Sequence, residues 1–550
     1  MPFVSSSRIA RACRFSFLLV LAALLFPLTS CSRRETRVEI GIREQILHVG
    51  NGTDPQDLDP HITTGEPEHK VMMALFEGLV TENPGDLKPN PGVAERWEIS
   101  SDGTVYTFYL RTNSFWSNGD RVTAHDFVAS FERMLTPALG AKYAAMLYPL
   151  KNGEAFNTGK ITDFSEVGAK ALDDFTLQLT LHSPTPYFLS LLMHNSWFPV
   201  HLPTIRKHGS VFDRANRWSL PENFVGNGAF RLAEWKINSH VRVVKNSNYW
   251  DAANVKLREI YFYPTENQDA EERAFRAGML HIAKDVPQMK IEVYKKNRPE
   301  VFRAEPILSI YFYRINVTKP PLNDKRVRKA LALAIDRDLI VRRVTRGGQL
   351  PALHFTPPGI SGYAPRARIS GGPDEARRLL AEAGFPEGKG FPPINILFNT
   401  HEGHKAIAEA IQQMWAKELG IPVTLRNEEW KVFLRTTEKL DYQIARAGWG
   451  GDYPDPNTFL ELAVTDNGNN ETGWSNAEYD RLIAEAARTA NPEERMELFQ
   501  RAEAILLDEV PFLPIYFYTR PTLVHTAVRN FLPNVLDLHQ WKHVYLEEKK

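Results

Sequence analysis

Cysteine is almost absent: the 550 residues hold two, Cys13 and Cys31. Everything after residue 31 therefore has no intramolecular disulfide, no thiol nucleophile and no cysteine-ligated metal. Charge of one sign is missing too, because 66 basic and 66 acidic residues cancel. That balance argues against a nucleic-acid binder. Beyond residue 31 there is no second long apolar run, no low-complexity tract and no regular repeat. What is present is globular composition, 43% hydrophobic and 24% charged, over a length that supports two or three domains. A body of this size without cross-links must rely on its apolar core.

The one apolar run, residues 15–27, follows Arg8, Arg11 and Arg14 and precedes Leu28-Thr29-Ser30-Cys31. It is shorter than the roughly 20 residues that span a bilayer. Residues 1–30 thus have the pattern of a lipoprotein signal peptide, cleaved before Cys31, whose sulfur and new amino group would carry lipid. The alternative is an uncleaved anchor helix, and either one exports the protein. Cleavage would leave a net charge of about minus three. Residues 31–44 are polar and charged and suit a tether, with folding expected from near Gln45.

In the first half, hairpin-like strands mix with short helices. Residues 104–110 are β-prone behind the turn Ser101-Asp102-Gly103, and 241–244 and 260–263 predict further strands. The second half is more regular. Residues 394–398 predict a strand, Ile407, Ala410, Ile411, Met414 and Trp415 share a helical face, and Gly420 ends that helix. Residues 421–425 predict the next strand, completing a βαβ unit. Asn323 is a candidate cap for a helix with Val327, Leu331, Ala334 and Ile335 on one face. Pro373, Asp374 and Glu375 open another, closed by Gly384.

The loop 445–456 sets Arg446 and Asp452 six residues apart among Gly448, Gly450, Gly451 and Trp449. One charge of each sign, with glycines for close backbone approach, suits a zwitterion such as a peptide. Residues 442–444 deliver the chain to Arg446 from a strand, where α/β sheets place ligands.

Three blocks now coincide with one family. Glu95-Arg96-Trp97-Glu98-Ile99-Ser100, Phe115-Trp116-Ser117-Asn118-Gly119-Asp120 and Thr123-Ala124-His125-Asp126-Phe127 resemble the front signature of the extracellular solute-binding proteins of the oligopeptide and dipeptide transporter family. Residues 323–331 with Ala334-Ile335-Asp336-Arg337 resemble its middle signature, and Ala445-Arg446-Ala447-Gly448-Trp449 with Asp452 and Pro456 resembles the oligopeptide-binding branch.

The resemblance implies an α/β, periplasmic-binding-protein-like fold of type II: two lobes, a hinge and an additional domain in the first lobe. Lobe I would comprise 45–80, 204–303 and 520–550, the extra domain 81–203, and lobe II 304–519. It further implies a monomer that catalyses no reaction, needs no cofactor, closes on an oligopeptide and delivers it to an ABC permease with its ATPase.

By resemblance, Asp452 pairs with the peptide ammonium, and Arg446 meets a carboxylate. The plainer readings are a turn aspartate for Asp452 and an internal ion pair for Arg446. Trp449 and Trp430 are aromatic-wall candidates, or core. His404 aligns near the ligand carboxylate, or starts a solvated helix. Glu68 resembles an acidic pocket residue, or is a first-turn helix charge. Tyr143 is a further candidate, and Asn316 lies where the backbone would add to an extended peptide. Thr437 stands where the family has another arginine, with Arg435 two residues away. The family lysine after the Thr-Pro-Pro motif has no match beyond Thr356-Pro357-Pro358, and Gly450 replaces a branch cysteine.

Other classes stay in view. Dipeptides, murein peptides or another solute fit the same fold, as does a sensor or chaperone role. A metallohydrolase is disfavoured, because His401-Glu402-Gly403-His404 does not reproduce H-E-x-x-H. Residues 466–471 lack the full EF-hand pattern.

Overall fold

The computed structural model describes residues 34–548, except Thr64, Glu429, Asp452 and Asp466, and without the side chains of Glu402, Trp430 and Lys431. Residues 1–30, Cys31, Asp452 and the Trp430 side chain, all singled out above, therefore lie outside the described residues.

Order begins earlier than Gln45. Arg37–Glu44 is a helix whose cap, Thr36, accepts from Glu39 N at 3.1 Å while Glu39 Oε2 accepts from Thr36 N at 2.7 Å. This reciprocal capping box satisfies two otherwise unpaired donors. The helix lies close on the fold, since a Cβ at Gly41 would meet His281 Cε1 at 2.6 Å. Gln45 then takes a left-handed conformation and its amide donates to Leu546 O at 2.7 Å. Residues 37–44 are thus part of the folded body and not tether.

Strand β1 (Ile46–Gly50) follows. The chain then leaves for a separate antiparallel sheet of β2 (Ala94–Ile99), β3 (Val105–Leu110), β4 (Ala169–Asp173) and β5 (Thr176–Thr180), in the order β2-β3-β5-β4. In β3 Tyr106, Phe108 and Leu110 alternate inward, the period of a strand with one buried face. They pack with Phe127 and Phe131 of the helix Ala124–Leu135 in this domain's own core.

The chain returns as β6 (Phe230–Lys236), β7 (His240–Lys245), β8 (Glu259–Tyr263) and β9 (Ile282–Ala283). It then enters the long β10 (Phe302–Ile315), β11 (Ile394–Asn399), β12 (Val423–Glu428), β13 (Ile444–Gly450) and the long β14 (Phe512–Val524). These strands join β1 in one eleven-stranded sheet with path order β12-β11-β13-β10-β14-β9-β1-β8-β7-β6, Leu350–Pro351 pairing with β14 off that path. The antiparallel pair β10–β14 is the seam. Its register shifts between Pro306 and Ile310 and again between Tyr311 and Phe312. One side of the seam continues into β9 and β1, the other into β13 and β11.

Local expectations hold with small corrections. The helix Glu402–Leu419 ends at Gly420 in a left-handed cap and joins two parallel strands, but the second is Val423–Glu428, two residues later than expected. The proline at 422 keeps the strand from starting sooner. Asp324, not Asn323, caps the helix Lys325–Leu333, its carboxylate accepting from Arg326 N.

The domains are riveted by desolvated polar contacts. Arg133, in the helix Ala124–Leu135, grips Asp59 through two bonds of 2.6 and 3.1 Å, and Asp59 also accepts from the Trp218 indole at 3.2 Å. Elsewhere Tyr453 joins the core of the four-stranded domain and stacks on Tyr187, ring centroids 4.5 Å apart and planes 8° from parallel. Arg495 holds Asp455 beside it with bonds of 2.6 and 2.8 Å.

Burial alone would raise the Asp59 carboxyl, but Arg133 and His61 outweigh it and hold it below the ordinary 3.8. The pair's contribution is therefore complete above that ordinary value and is lost as pH falls through the lower folded one. Asp59→Ala strands the Arg133 charge and should cost about 3–5 kcal/mol in urea unfolding at neutral pH; a loss under about 1 kcal/mol would mean water replaces the carboxylate.

Candidate functional site

Residues 445–450 are not a loop: Arg446 and Trp449 both lie within β13, paired antiparallel to β10 and parallel to β11. Side chains on a strand alternate, so Arg446, Gly448 and Gly450 share one face and Ala445, Ala447 and Trp449 the other. Burial follows that alternation.

Arg446 lies among phenols. Its guanidinium carbon is 4.9 Å from the Tyr311 ring centroid, and Nη2 donates to the Tyr518 hydroxyl at 3.3 Å. Its Nε is buried with no hydrogen-bond partner, as is the Tyr313 hydroxyl. Among the described residues no carboxylate pairs with it. Burial alone would lower its pKa, but Tyr311 and Tyr518 raise it, so the group stays charged. Gly448 makes room: a Cβ there would sit 3.3 Å from Arg446 Nη2 and 3.5 Å from Ile310 O.

His404 joins this group from the helix Glu402–Leu419, its Nδ1 3.3 Å from the Tyr311 hydroxyl and its ring 4.6 Å from His401. Burial, then Arg446 and His401, push its pKa down to about 3. A neutral imidazole beside a charged guanidinium can donate one hydrogen bond to an anion without adding charge.

Three other candidates land elsewhere. Trp449 faces away from Arg446, packs against the core around Phe459 and Leu460, and its indole donates to Thr458 Oγ1 at 3.5 Å. The two cannot form one wall, because an odd separation on a strand puts them on opposite faces. Asn316 is fully buried and spent on the fold, donating to Leu440 O and Tyr442 O and accepting from Thr318. It follows β10 and its own N–H goes to Gln443 O, so no peptide adds there. Glu68 is buried in the first turn of the helix Glu66–Leu75, accepting from Gln56 N at 2.6 Å, and is not among the residues lining the cavity below. Thr437 is buried and donates to Leu434 O, while Arg435 is exposed.

A cavity of about 420 Å³ opens where three parts of the chain meet. Tyr143, beside the His194 ring at 4.7 Å, lines it from the four-stranded domain. Leu308 and Ser309 of β10 and Gly450 and Gly451 line it from the seam. Gly451 N donates to Leu308 O at 2.7 Å, and a Cβ at 451 would lie 2.5 Å from the Leu308 side chain. Opposite stand Glu66, Lys70, Arg520 and Asp537. Of these, only Glu66 and Lys70 had a local signal, their i,i+4 spacing; the other two come together through the fold alone.

Because His404 folds with a depressed pKa, the unfolded chain takes up its proton first, near 6.5, and stability is lost below that pH. Its imidazole carbon–proton NMR shifts should stay flat from pH 8 to 5 and titrate higher in Arg446→Leu; a wild-type midpoint near 6.5 would contradict this environment.

Residues 88–471 match the family described as bacterial extracellular solute-binding proteins, family 5 Middle. The periplasmic oligopeptide-binding protein OppA of Salmonella typhimurium is 36% identical over 96% of this chain and 98% of its own. The dipeptide-binding protein DppE of Bacillus subtilis is 34% identical over 92% and 94%. The probable deoxycholate-binding periplasmic protein YgiS of Escherichia coli is also 34% identical, over 92% and 94%. Among solved structures, an unliganded open form of MppA, a periplasmic murein tripeptide binding protein, gives a TM-score of 0.83 at 34% identity, covering 92% of this chain and 97% of that one. A structure of the Escherichia coli murein tripeptide binding protein MppA gives 0.73 at 33% identity, covering 92% and 99%. The fold is therefore the two-lobed α/β periplasmic-binding-protein fold, with the four-stranded sheet as its additional domain. The chain belongs to the bacterial extracellular solute-binding proteins of family 5, a family of receptors and not of enzymes.

Proposed function

We propose that this protein is an exported receptor that captures peptides between its lobes and hands them to an ABC importer. The observation that carries the reading is the half-buried, charged Arg446, whose buried Nε has no partner, beside a neutral His404. A desolvated guanidinium with spare donors is a seat for a carboxylate. From Arg446 to Gly450 the strand rises about 13 Å, roughly four residues of extended peptide. Asp452, just past the cavity-lining Gly451, is our candidate for the ammonium. The relatives named for oligopeptides and dipeptides support a peptide ligand.

In this reading lobe I comprises 45–80, 204–303 and 520–550 with the extra domain 81–203, and lobe II comprises 304–519. Closure bends the sheet at the register shifts of β10 and β14. The higher overlap with an unliganded open form than with an OppA in complex with a peptide supports lobes that stand apart until ligand favours the closed state. Acylation at Cys31 would keep the receptor, as a monomer, near its permease.

A second reading has one observation in its favour: YgiS carries the name of a carboxylate without an amine. Blocked peptides separate the two. By calorimetry, Arg446→Leu should weaken peptides with a free carboxyl by about thirtyfold or more and their amidated forms far less. Asp452→Ala should weaken free-amine peptides far more than amino-acetylated ones. Equal losses would remove either residue from its role, and tight deoxycholate binding with no peptide binding would replace the peptide reading. Metabolic labelling with palmitate should mark the wild type and not Cys31→Ser; a labelled Cys31→Ser would sink the anchor.

A further inference from the structure

The cavity wall opposite the seam is a knot of charge. Glu66 accepts from both arms of Arg520, at 2.7 and 3.1 Å, and forms ion pairs with Lys70 at 3.1 Å and Lys284 at 3.6 Å. Asp537 is engaged by Arg520, by Lys70 at 3.7 Å and by His539 Nε2 at 3.1 Å. An ionised carboxylate has about four acceptor positions, and an ammonium three donors. Glu66 is surrounded by three protein cations, and Asp537 accepts from two donors with Lys70 as a third, longer ion pair. Lys70 and Lys284 keep donors to spare.

The surroundings lean the same way. Burial alone would raise both carboxyls, but Lys70 leads the groups that hold each of them below its ordinary value, so the acids remain committed to protein cations. Glu271, behind the wall, is spent on the N–H groups of Lys284 and Asp285 at 3.1 and 3.2 Å. Burial lifts its carboxyl to about 7, so it brings only part of a negative charge. The helix Glu66–Leu75 starts at Gly65, which lines the cavity and supplies no capping side chain, and the Glu66 and Glu68 carboxylates of its first turn offset the positive helix end.

Resting on the peptide reading of this cleft, we infer that this wall is a specificity pocket for an acidic side chain of the bound peptide, with Lys70 as its contact and Arg520 and Lys284 as supporting charges. A ligand carboxylate meets unspent donors. A ligand ammonium meets carboxylates already paired with protein cations.

The test is calorimetry with trialanine and its derivatives carrying Glu, Gln or Lys at each position in turn. At one position Glu should bind about tenfold more tightly than Gln, the worth of one partly screened charge contact, and Lys more weakly than Gln. In Lys70→Gln the Glu-to-Gln ratio should fall to about one. In Glu66→Gln, which frees donors, the ratio should rise. Peptides that bind with no Glu advantage, or whose advantage persists in Lys70→Gln or falls in Glu66→Gln, overturn the pocket and leave the peptide reading standing. If no peptide binds at all, both fall.

Discussion

The pairing of β10 with β14 is the constraint on which the rest depends. Both strands run through the junction of the two halves of the large sheet, so neither half has a separate edge there. An exposed edge would invite pairing with another chain, and shared strands remove it. The same pairing aims Tyr311 and Tyr313 of β10, with Tyr516 and Tyr518 around β14, at one spot, and β13 brings Arg446 to it. Where the register slips, β10 stops making a regular ladder and Leu308 turns its backbone to Gly451 and Val535 instead. The cavity lies at that irregularity.

Buried charge sorts the structural residues from those that await something. Arg133 with Asp59 and Arg495 with Asp455 form short bidentate pairs, whereas Arg337 donates to three backbone carbonyls at 2.7 to 3.2 Å and keeps a buried Nη2 without a partner. Desolvating an ion is costly, so such pairs persist only when their hydrogen bonds are complete. Arg446 and Arg337 both lack a carboxylate, but where Arg337 rests on backbone carbonyls, Arg446 is held by a ring face and one phenol hydroxyl.

Part of this was legible in residue order, and the limits are physical. The unit from Ile394 to Glu428 shows because its helix repeats every 3.6 residues and its strands are apolar runs. Strand β13 hides because glycine occupies two positions of its open face, so the alternation that betrays a strand is blank there and the segment resembles a turn. Period two then dictates that Arg446 and Trp449 part company, a consequence available once the segment is known to be extended. Thr36-Arg37-Val38-Glu39 carries a capping-box spacing that the polar composition around it disguises. Asn316 looks like an exposed polar group by type, yet it is consumed by a backbone turn that only tertiary contact creates. The meeting of Glu66 with Arg520 and Asp537 joins residues more than four hundred positions apart, and nothing local announces it. Residue type alone picked out Arg446, and family resemblance added the overall plan; neither announces that wall.

The stack of Tyr453 on Tyr187 has a mechanical meaning. Tyr453 is three residues beyond the end of β13, yet it belongs to the core of the four-stranded domain. The two parts of the molecule are thus fastened at the β10–β14 seam and again at this aromatic contact. A stack of two rings buried on both sides resists sliding, so this contact fixes how the chain beyond β13 sits against the four-stranded domain at a place the sheet itself does not reach.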